Sequence, residues 1–272
     1  MAAPAPPPAA STPWRLDSLM TGAEVILAGG ERQVWTYVDT GGEGRALVLL
    51  PGSVGTCEVF FKQVMGLGRT RRVIAVTYPA EPDPQKLAEG LARLLEQLGL
   101  AAPDIIGSSF AAYWLQAFAL AHPDGFTTLV LGNGFVEPSR LVTLPAFNPA
   151  FVRETSAQEL QHGWRERVLA APESELRSLQ LDMLSGRQPA VTLKSRLLGV
   201  TTAALLAPPP SEVQDRIAIL ECEDDPLISA ETRRRMQDHL PGARVITLPT
   251  GGHYPHILVP DLYEAALRTL LT

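Results

Sequence analysis

The chain has 272 residues and a formal net charge of −6, from 29 acidic against 23 basic side chains. Hydrophobic residues make up 46% and charged residues 19%, enough apolar surface for the core of one large α/β domain, with or without an inserted cap. No long basic run is present, so the electrostatic footprint of a nucleic-acid or anionic-membrane partner is missing.

Residues 1–13 are rich in Ala and Pro and have neither a basic nor a strongly apolar stretch, so they do not read as a secretory signal. No arginine precedes Arg15, which argues against an organelle transit peptide. The expectation is a disordered tail over 1–13, a folded domain over 14–272, and a cytoplasmic protein. No apolar run is long enough to span a bilayer.

Residues 24–39 alternate enough in polarity to suggest an antiparallel edge hairpin. The runs at 46–51 (ALVLLP), 72–79 (RVIAVTYP), 104–109 (DIIGSS), 127–134 (TTLVLGNG), 216–222 (RIAILEC) and 244–249 (RVITLP) are almost continuously apolar. Strands buried on both faces read this way, which predicts a mostly parallel sheet flanked by helices. Asp83 followed by Pro84 predicts a capped helix start, with Leu87, Leu91, Leu94, Leu95 and Leu98 on one face and Gly99 ending it. Further helices are predicted over 110–122, stopped by Pro123, after Ser229 to about Leu240, and over 260–271. Between about 137 and 210 no buried strand is legible. Leu160, Trp164, Val168, Leu176, Leu179 and Leu184 are the apolar positions there, and the segment closes on the stiff run 207–210 (APPP). We read 137–210 as a helical cap inserted between the strands at 127–134 and 216–222.

Chemistry concentrates after three of these strands. Gly107-Ser108-Ser109-Phe110-Ala111 ends one strand and opens an Ala-rich helix, the context of a nucleophile elbow. There the serine oxygen must project from a strained turn, and its neighbours must be small because strand and helix approach closely. Ala111 stands where glycine is commoner, and Ser108 is the neighbouring but off-motif serine. The partners should follow in the order acid, then His. Asp225 lies in the loop after the strand at 216–222, with Asp224 beside it as an alternative acid and Glu137 as a relocated one. His253 follows Gly251-Gly252 beyond the last strand. Ser109 would be the nucleophile, His253 its general base, and Asp225 the group that orients the imidazole. The backbone N–H groups of Phe110 and of Ser53, in the loop Pro51-Gly52-Ser53-Val54-Gly55, are the candidate oxyanion donors. His256 reads as structural, and His122, His162 and His239 as surface or helix-end residues. The two cysteines, Cys57 and Cys222, form no CxxC or Cys/His cluster and read as reduced core residues. Neither a metal nor an organic cofactor is implied.

Pro51-Gly52, Gly107-Ser108-Ser109-Phe110-Ala111, Asp225-Pro226-Leu227-Ile228 and Gly252-His253 together resemble the α/β-hydrolase superfamily, over essentially the whole chain from Trp14. The closer resemblance is to maspardin and its relatives. It rests on residues 54–63 (VGTCEVFFKQ), 72–79 (RVIAVTYP), 240–244 (LPGAR) and 250–252 (TGG). An ordinary esterase usually has His-Gly at the position of Pro51-Gly52, and an Asp-Arg-Gly-type turn at that of Thr77-Tyr78-Pro79. The superfamily resemblance implies a serine hydrolase of carboxylesterase type, acting through an acyl-enzyme on a small ester, thioester or lactone. The maspardin resemblance implies a non-catalytic scaffold that binds a protein partner. In that family the acid and histidine are not reliably kept, whereas Asp225 and His253 are both present here. The mostly apolar segment around Trp164 would shape an apolar substrate pocket.

Overall fold

A computed structural model of the protein describes residues 12–271. Most of the Ala/Pro-rich tail expected at 1–13 therefore lies outside the described residues. The eight strands are β1 (Met20–Ile26), β2 (Arg32–Asp39), β3 (Leu47–Leu50), β4 (Val73–Thr77), β5 (Asp104–Ser108), β6 (Leu129–Gly132), β7 (Ile217–Cys222) and β8 (Arg244–Leu248). They form one sheet in the order β1-β2-β4-β3-β5-β6-β7-β8. β1 and β2 are an antiparallel hairpin that joins β4 antiparallel, and every pairing from β4 to β8 is parallel. The edge hairpin is thus present and begins at Met20, ahead of the polar alternation that marks it in the sequence. Its first residues are half-buried or exposed, so little apolar patterning announces them.

Burial on both sides explains the continuous apolar runs of β3 to β7, whereas β8, read from its sequence as doubly buried, is an edge strand with only Leu248 buried. Val48, Leu50, Ile74, Val76 and Ile105 face one core, and their neighbours Leu47, Leu49, Val73, Ala75 and Ile106 face the other. Side chains alternate across a strand, so two cores leave no position for a polar residue. Helices cover both faces: α1 (Phe61–Leu67) on one side, then α2 (Pro84–Gln97) and α3 (Phe110–Ala121) on the other. α2 starts as its sequence predicts, with the Asp83 carboxylate accepting from Gln85 N–H at 2.8 Å and Pro84 in the first turn. Gly99, at φ 67°, ends it.

Between β6 and β7 the described residues form helices and no strand. These are α4 (Pro149–Glu154), α5 (Ala157–Ala170), α6 (Glu175–Asp182), α7 (Ala190–Thr201) and α8 (Ser211–Gln214), with two 3-10 turns ahead of α4 and one wider π-helical turn, Met183–Arg187, after α6. Ser156 and Glu159 cap α5 reciprocally. After β7 come α9 (Ala230–His239), α10 (Pro255–Leu258) and α11 (Pro260–Leu270); α11 packs into the same core as α1.

The topology fixes where a site can form. β3 is flanked by β4 on one side and β5 on the other, so consecutive connections leave it in opposite directions. A crevice opens at the carboxyl ends of parallel strands where the winding reverses in this way. The loop after β3 and the turn after β5 border that crevice.

Candidate active site

β5 ends at Ser108 and α3 begins at Phe110, leaving Ser109 alone between them at φ 55°, ψ −116°. A non-glycine residue at positive φ stores on the order of 1–3 kcal/mol and persists only where its surroundings enforce it. Here Ser109 N–H donates to Gly132 O at 2.8 Å, extending the β5–β6 ladder, and Ser109 O accepts from Tyr113 N–H at 3.2 Å, the first bond of α3. The tightness of the turn dictates small neighbours. A Cβ at Gly107 would strike the Leu115 side chain and come within 2.9 Å of the Ala111 carbonyl carbon. Ala111 and Ala112 are fully buried.

His253 Nε2 lies 2.9 Å from Ser109 Oγ, and its Nδ1 lies 2.7 Å from Asp225 Oδ2. The other Asp225 oxygen accepts from the N–H groups of Leu227 at 2.8 Å and Ile228 at 3.0 Å. Burial pushes the Asp225 carboxyl up, but the neighbouring His253 and the hydrogen bonds from His253, Leu227 and Ile228 outweigh it and hold the group below the usual carboxylate range. Asp224 has a different task. It accepts from the Thr250 hydroxyl at 2.9 Å and from Gly251 and Gly252 N–H at 3.2 and 2.8 Å, which fixes the loop carrying His253. The choice left open between the two acids as the partner of His253 thus falls to Asp225. Gly251 (φ 131°) and Gly252 (φ 53°) supply the turn into His253.

The loop after β3 approaches the serine from the other side. A Cβ at Gly52 would stand 3.0 Å from Ser109 Cβ and 3.5 Å from Ser109 Oγ. Among the described residues no acceptor takes the N–H of Ser53 or of Phe110. Around Ser109 is a cavity of about 520 Å³, open mouth included, with an apolar wall of Val54, Val59, Phe147, Trp164, Leu227 and Tyr254. Among the described residues no Asp, Glu, Lys or Arg lines it. His256 also borders it, buried among Phe60, Tyr254 and Tyr263, and burial pushes its pKa down to about 3, so it is neutral.

The remaining sequence candidates lie elsewhere or lack a partner. Glu137 is ion-paired with Arg235 on the surface. Ser108 lines the cavity without a hydrogen bond to any histidine. Cys57 is a buried free thiol whose pKa burial pushes up to about 11, and Cys222 is likewise buried and free. His122 follows α3, His239 ends α9, and His162 is exposed on α5. Among the described residues no group of three or more His, Cys, Asp or Glu could hold a metal ion, and no helix is long and apolar enough to cross a membrane.

Three residues that sequence reasoning missed shape the site. Asn133, at φ 44° just past β6, donates to Gly252 O at 2.8 Å and so braces the histidine loop. Gln188 and Arg196, from the helical segment, bind the loop after β3. The Gly132-Asn133-Gly134 turn is a sequence signal for the first; Gln188 and Arg196 have none.

Known proteins resemble this chain in sequence and in fold. The model of a family described as the alpha/beta hydrolase family matches residues 47–266. Human maspardin is similar, at 26% identity over 247 residues, covering 86% of this chain and 78% of maspardin. Among solved structures, a thermophilic esterase from Thermogutta terrifontis superimposes with a TM-score of 0.74 at 20% identity, covering 92% of this chain and 98% of its own. The enol-lactonase from Burkholderia xenovorans superimposes with a TM-score of 0.71 at 17% identity, covering 92% of this chain and 99% of its own.

Proposed function

The chain belongs to the alpha/beta hydrolase family, and we propose that it is a serine hydrolase that cleaves a small, uncharged ester, thioester or lactone through an acyl-enzyme. The single observation that carries this reading is the unbroken relay Ser109 Oγ–His253 Nε2–Asp225, at 2.9 and 2.7 Å. A serine hydroxyl is a poor nucleophile at neutral pH, and a histidine within hydrogen-bond reach is what activates it. As Oγ attacks the substrate carbonyl carbon, His253 takes the hydroxyl proton. The carbonyl oxygen becomes an oxyanion facing the Ser53 and Phe110 N–H groups. Collapse of the tetrahedral adduct expels the alcohol or thiol, which His253 protonates, and leaves the acyl group on Oγ. His253 then deprotonates a water that attacks the acyl carbon, and the second collapse returns the proton to Ser109. Asp225 holds the imidazole in register and stabilises its protonated form without itself accepting the proton.

The cavity supports the substrate class. An apolar wall with no ionised side chain favours an uncharged acyl group, because a buried unpaired charge there would go uncompensated. The structural relatives include an esterase and an enol-lactonase, in keeping with acyl-transfer chemistry.

The similarity to maspardin favours a second reading, a non-catalytic scaffold that binds a protein partner. Labelling with a fluorescent fluorophosphonate separates the two, since such probes trap only base-activated serines. The hydrolase reading expects labelling of the wild type and none of Ser109→Ala or His253→Ala. A folded wild type that takes no label would leave the scaffold reading standing.

A further inference from the structure

Arg196 is fully buried, in the middle of α7, and among the described residues its guanidinium meets no carboxylate. Its two Nη groups donate to backbone carbonyls, Gly55 O at 2.6 Å, Tyr78 O at 2.5 Å and, more weakly, Gly52 O at 3.4 Å, while the buried Nε has no hydrogen-bond partner among the described residues. The guanidinium also lies over the Tyr78 ring, 3.7 Å from its centroid. Tyr78 in turn donates its hydroxyl to Gly52 O at 3.1 Å. Gln188, also fully buried, closes the other side: its amide N donates to Ser53 O at 2.6 Å, and its amide O accepts from Gly55 N–H at 3.1 Å. Burying an arginine without a counter-ion is costly, and a side chain that served packing alone would be better replaced by an apolar one.

What these bonds do follows from peptide geometry. In a trans peptide the C=O and the next N–H point in opposite directions within one plane. Holding Gly52 O on the Tyr78 and Arg196 side turns the Ser53 N–H to the opposite side of the peptide; Ser53 and Ser109 line the same cavity, and a Cβ on Gly52 would lie 3.0 Å from Ser109 Cβ. Gly52 itself has no Cβ to restrict its backbone, so without these donors the peptide would be free to rotate. Gln188 fixes the next peptide in the same way.

We propose that Arg196, with Gln188, is a positioning residue for the reaction: from the helical segment between β6 and β7 it clamps the carbonyls of the loop after β3 and so aims the Ser53 N–H at the oxyanion. This rests on the serine-hydrolase reading and extends it, since the same helical segment then lines the cavity with Trp164 and sets the catalytic loop. Neither residue touches substrate; both act through the Gly52–Ser53 peptide.

The test uses the full chain with a p-nitrophenyl ester, and a trifluoromethyl ketone as a mimic of the tetrahedral oxyanion. In Arg196→Met, kcat falls by about 10²-fold while KM changes little, because an oxyanion donor acts mainly in the transition state. Affinity for the trifluoromethyl ketone falls in parallel with kcat/KM, whereas affinity for the carboxylic acid product does not. Arg196→Lys, which can reach fewer of the carbonyls, recovers part of the loss. Gln188→Ala repeats the pattern at smaller size and stands as the deciding variant if Arg196→Met does not fold. Losses that merely follow the folded fraction, with ketone affinity unchanged, overturn the positioning role while leaving the hydrolase reading intact. A folded wild type that takes no fluorophosphonate label and hydrolyses no ester, thioester or lactone overturns both.

Discussion

Asp225 Oδ2 lies 2.7 Å from His253 Nδ1, although the two residues are 28 positions apart and an equally acidic neighbour, Asp224, is adjacent. The two aspartates divide the labour: one holds the imidazole, the other holds the loop that carries it. Asp225→Asn keeps the shape and removes the charge, and it lets the amide donate where only an acceptor suits the ring tautomer. The expected loss in kcat is about 10⁴-fold near neutral pH. Asp224→Asn should cost far less, since the loop keeps the brace from Asn133 to Gly252 O. Steady-state ester hydrolysis by the two variants checks this; equal losses would mean that Asp224 does more than shape the loop.

Gly52 is required by space and not by an unusual backbone angle. A methyl group there would press on Ser109 Cβ at 3.0 Å, so loop and elbow would have to part by a few tenths of an ångström. Gly52→Ala should therefore lower kcat/KM by on the order of 10²-fold, as small displacements at a reacting centre do, with a melting temperature near that of the wild type. Hydrolysis rates beside a thermal melt decide it; an active Gly52→Ala would show that the loop has room to move.

How much of this site the sequence discloses depends on the range of the interactions. Ser109, Asp225 and His253 are legible because each sits in a local signature: a strand, then Gly-x-Ser opening a helix, an acid just past a strand, and Gly-Gly-His past the last strand. Strands β3 to β7 are legible because both faces are buried; β8, at the sheet edge and largely exposed, is legible from its β-branched run Val245-Ile246-Thr247. Local sequence cannot say which of Asp224 and Asp225 meets the histidine, because neighbours on a loop point in directions set by their hydrogen bonds. Gln188 and Arg196 are hidden for the same reason. Their partners Ser53 and Gly55 lie 133 to 141 residues away in sequence, and a lone Arg within a helical pattern reads as a solvated face.

Trp164 and Phe147 pack edge to face at 5.7 Å across the cavity wall, and Trp164 alone supplies most of the bulk that α5 contributes there. Trp164→Ala should widen the acyl site and move the preferred chain length upward. One methylene in an apolar pocket is worth about 1–3 kcal/mol, so the ratio of hexanoate to acetate turnover should rise by tenfold or more. A series of p-nitrophenyl esters of increasing acyl length measures the ratio directly. An unchanged preference would place the acyl group elsewhere, against Leu227 and Val59.

His256 makes stability depend on pH. Burial first, and the nearby His253 second, push its pKa from 6.5 to about 3 in the folded protein. Between those values the unfolded chain binds a proton that the folded chain refuses, so unfolding becomes easier as the pH falls. The contribution is complete above pH 6.5 and is lost progressively toward pH 3, with a limiting slope of about 1.4 kcal/mol per pH unit for one proton. Asp225, whose carboxyl is held below its ordinary value of 3.8, adds its own loss only as the pH falls through about 3.8, so between pH 7.5 and 5.0 the His256 effect stands apart from it. Urea unfolding at pH 7.5, 6.0 and 5.0 should show the wild type weakening steadily, and His256→Gln, which has no titrating ring, should weaken much less over the same range. Parallel curves for the two proteins would mean that His256 gains a proton while folded, and that the aromatic cage of Phe60, Tyr254 and Tyr263 admits the charge.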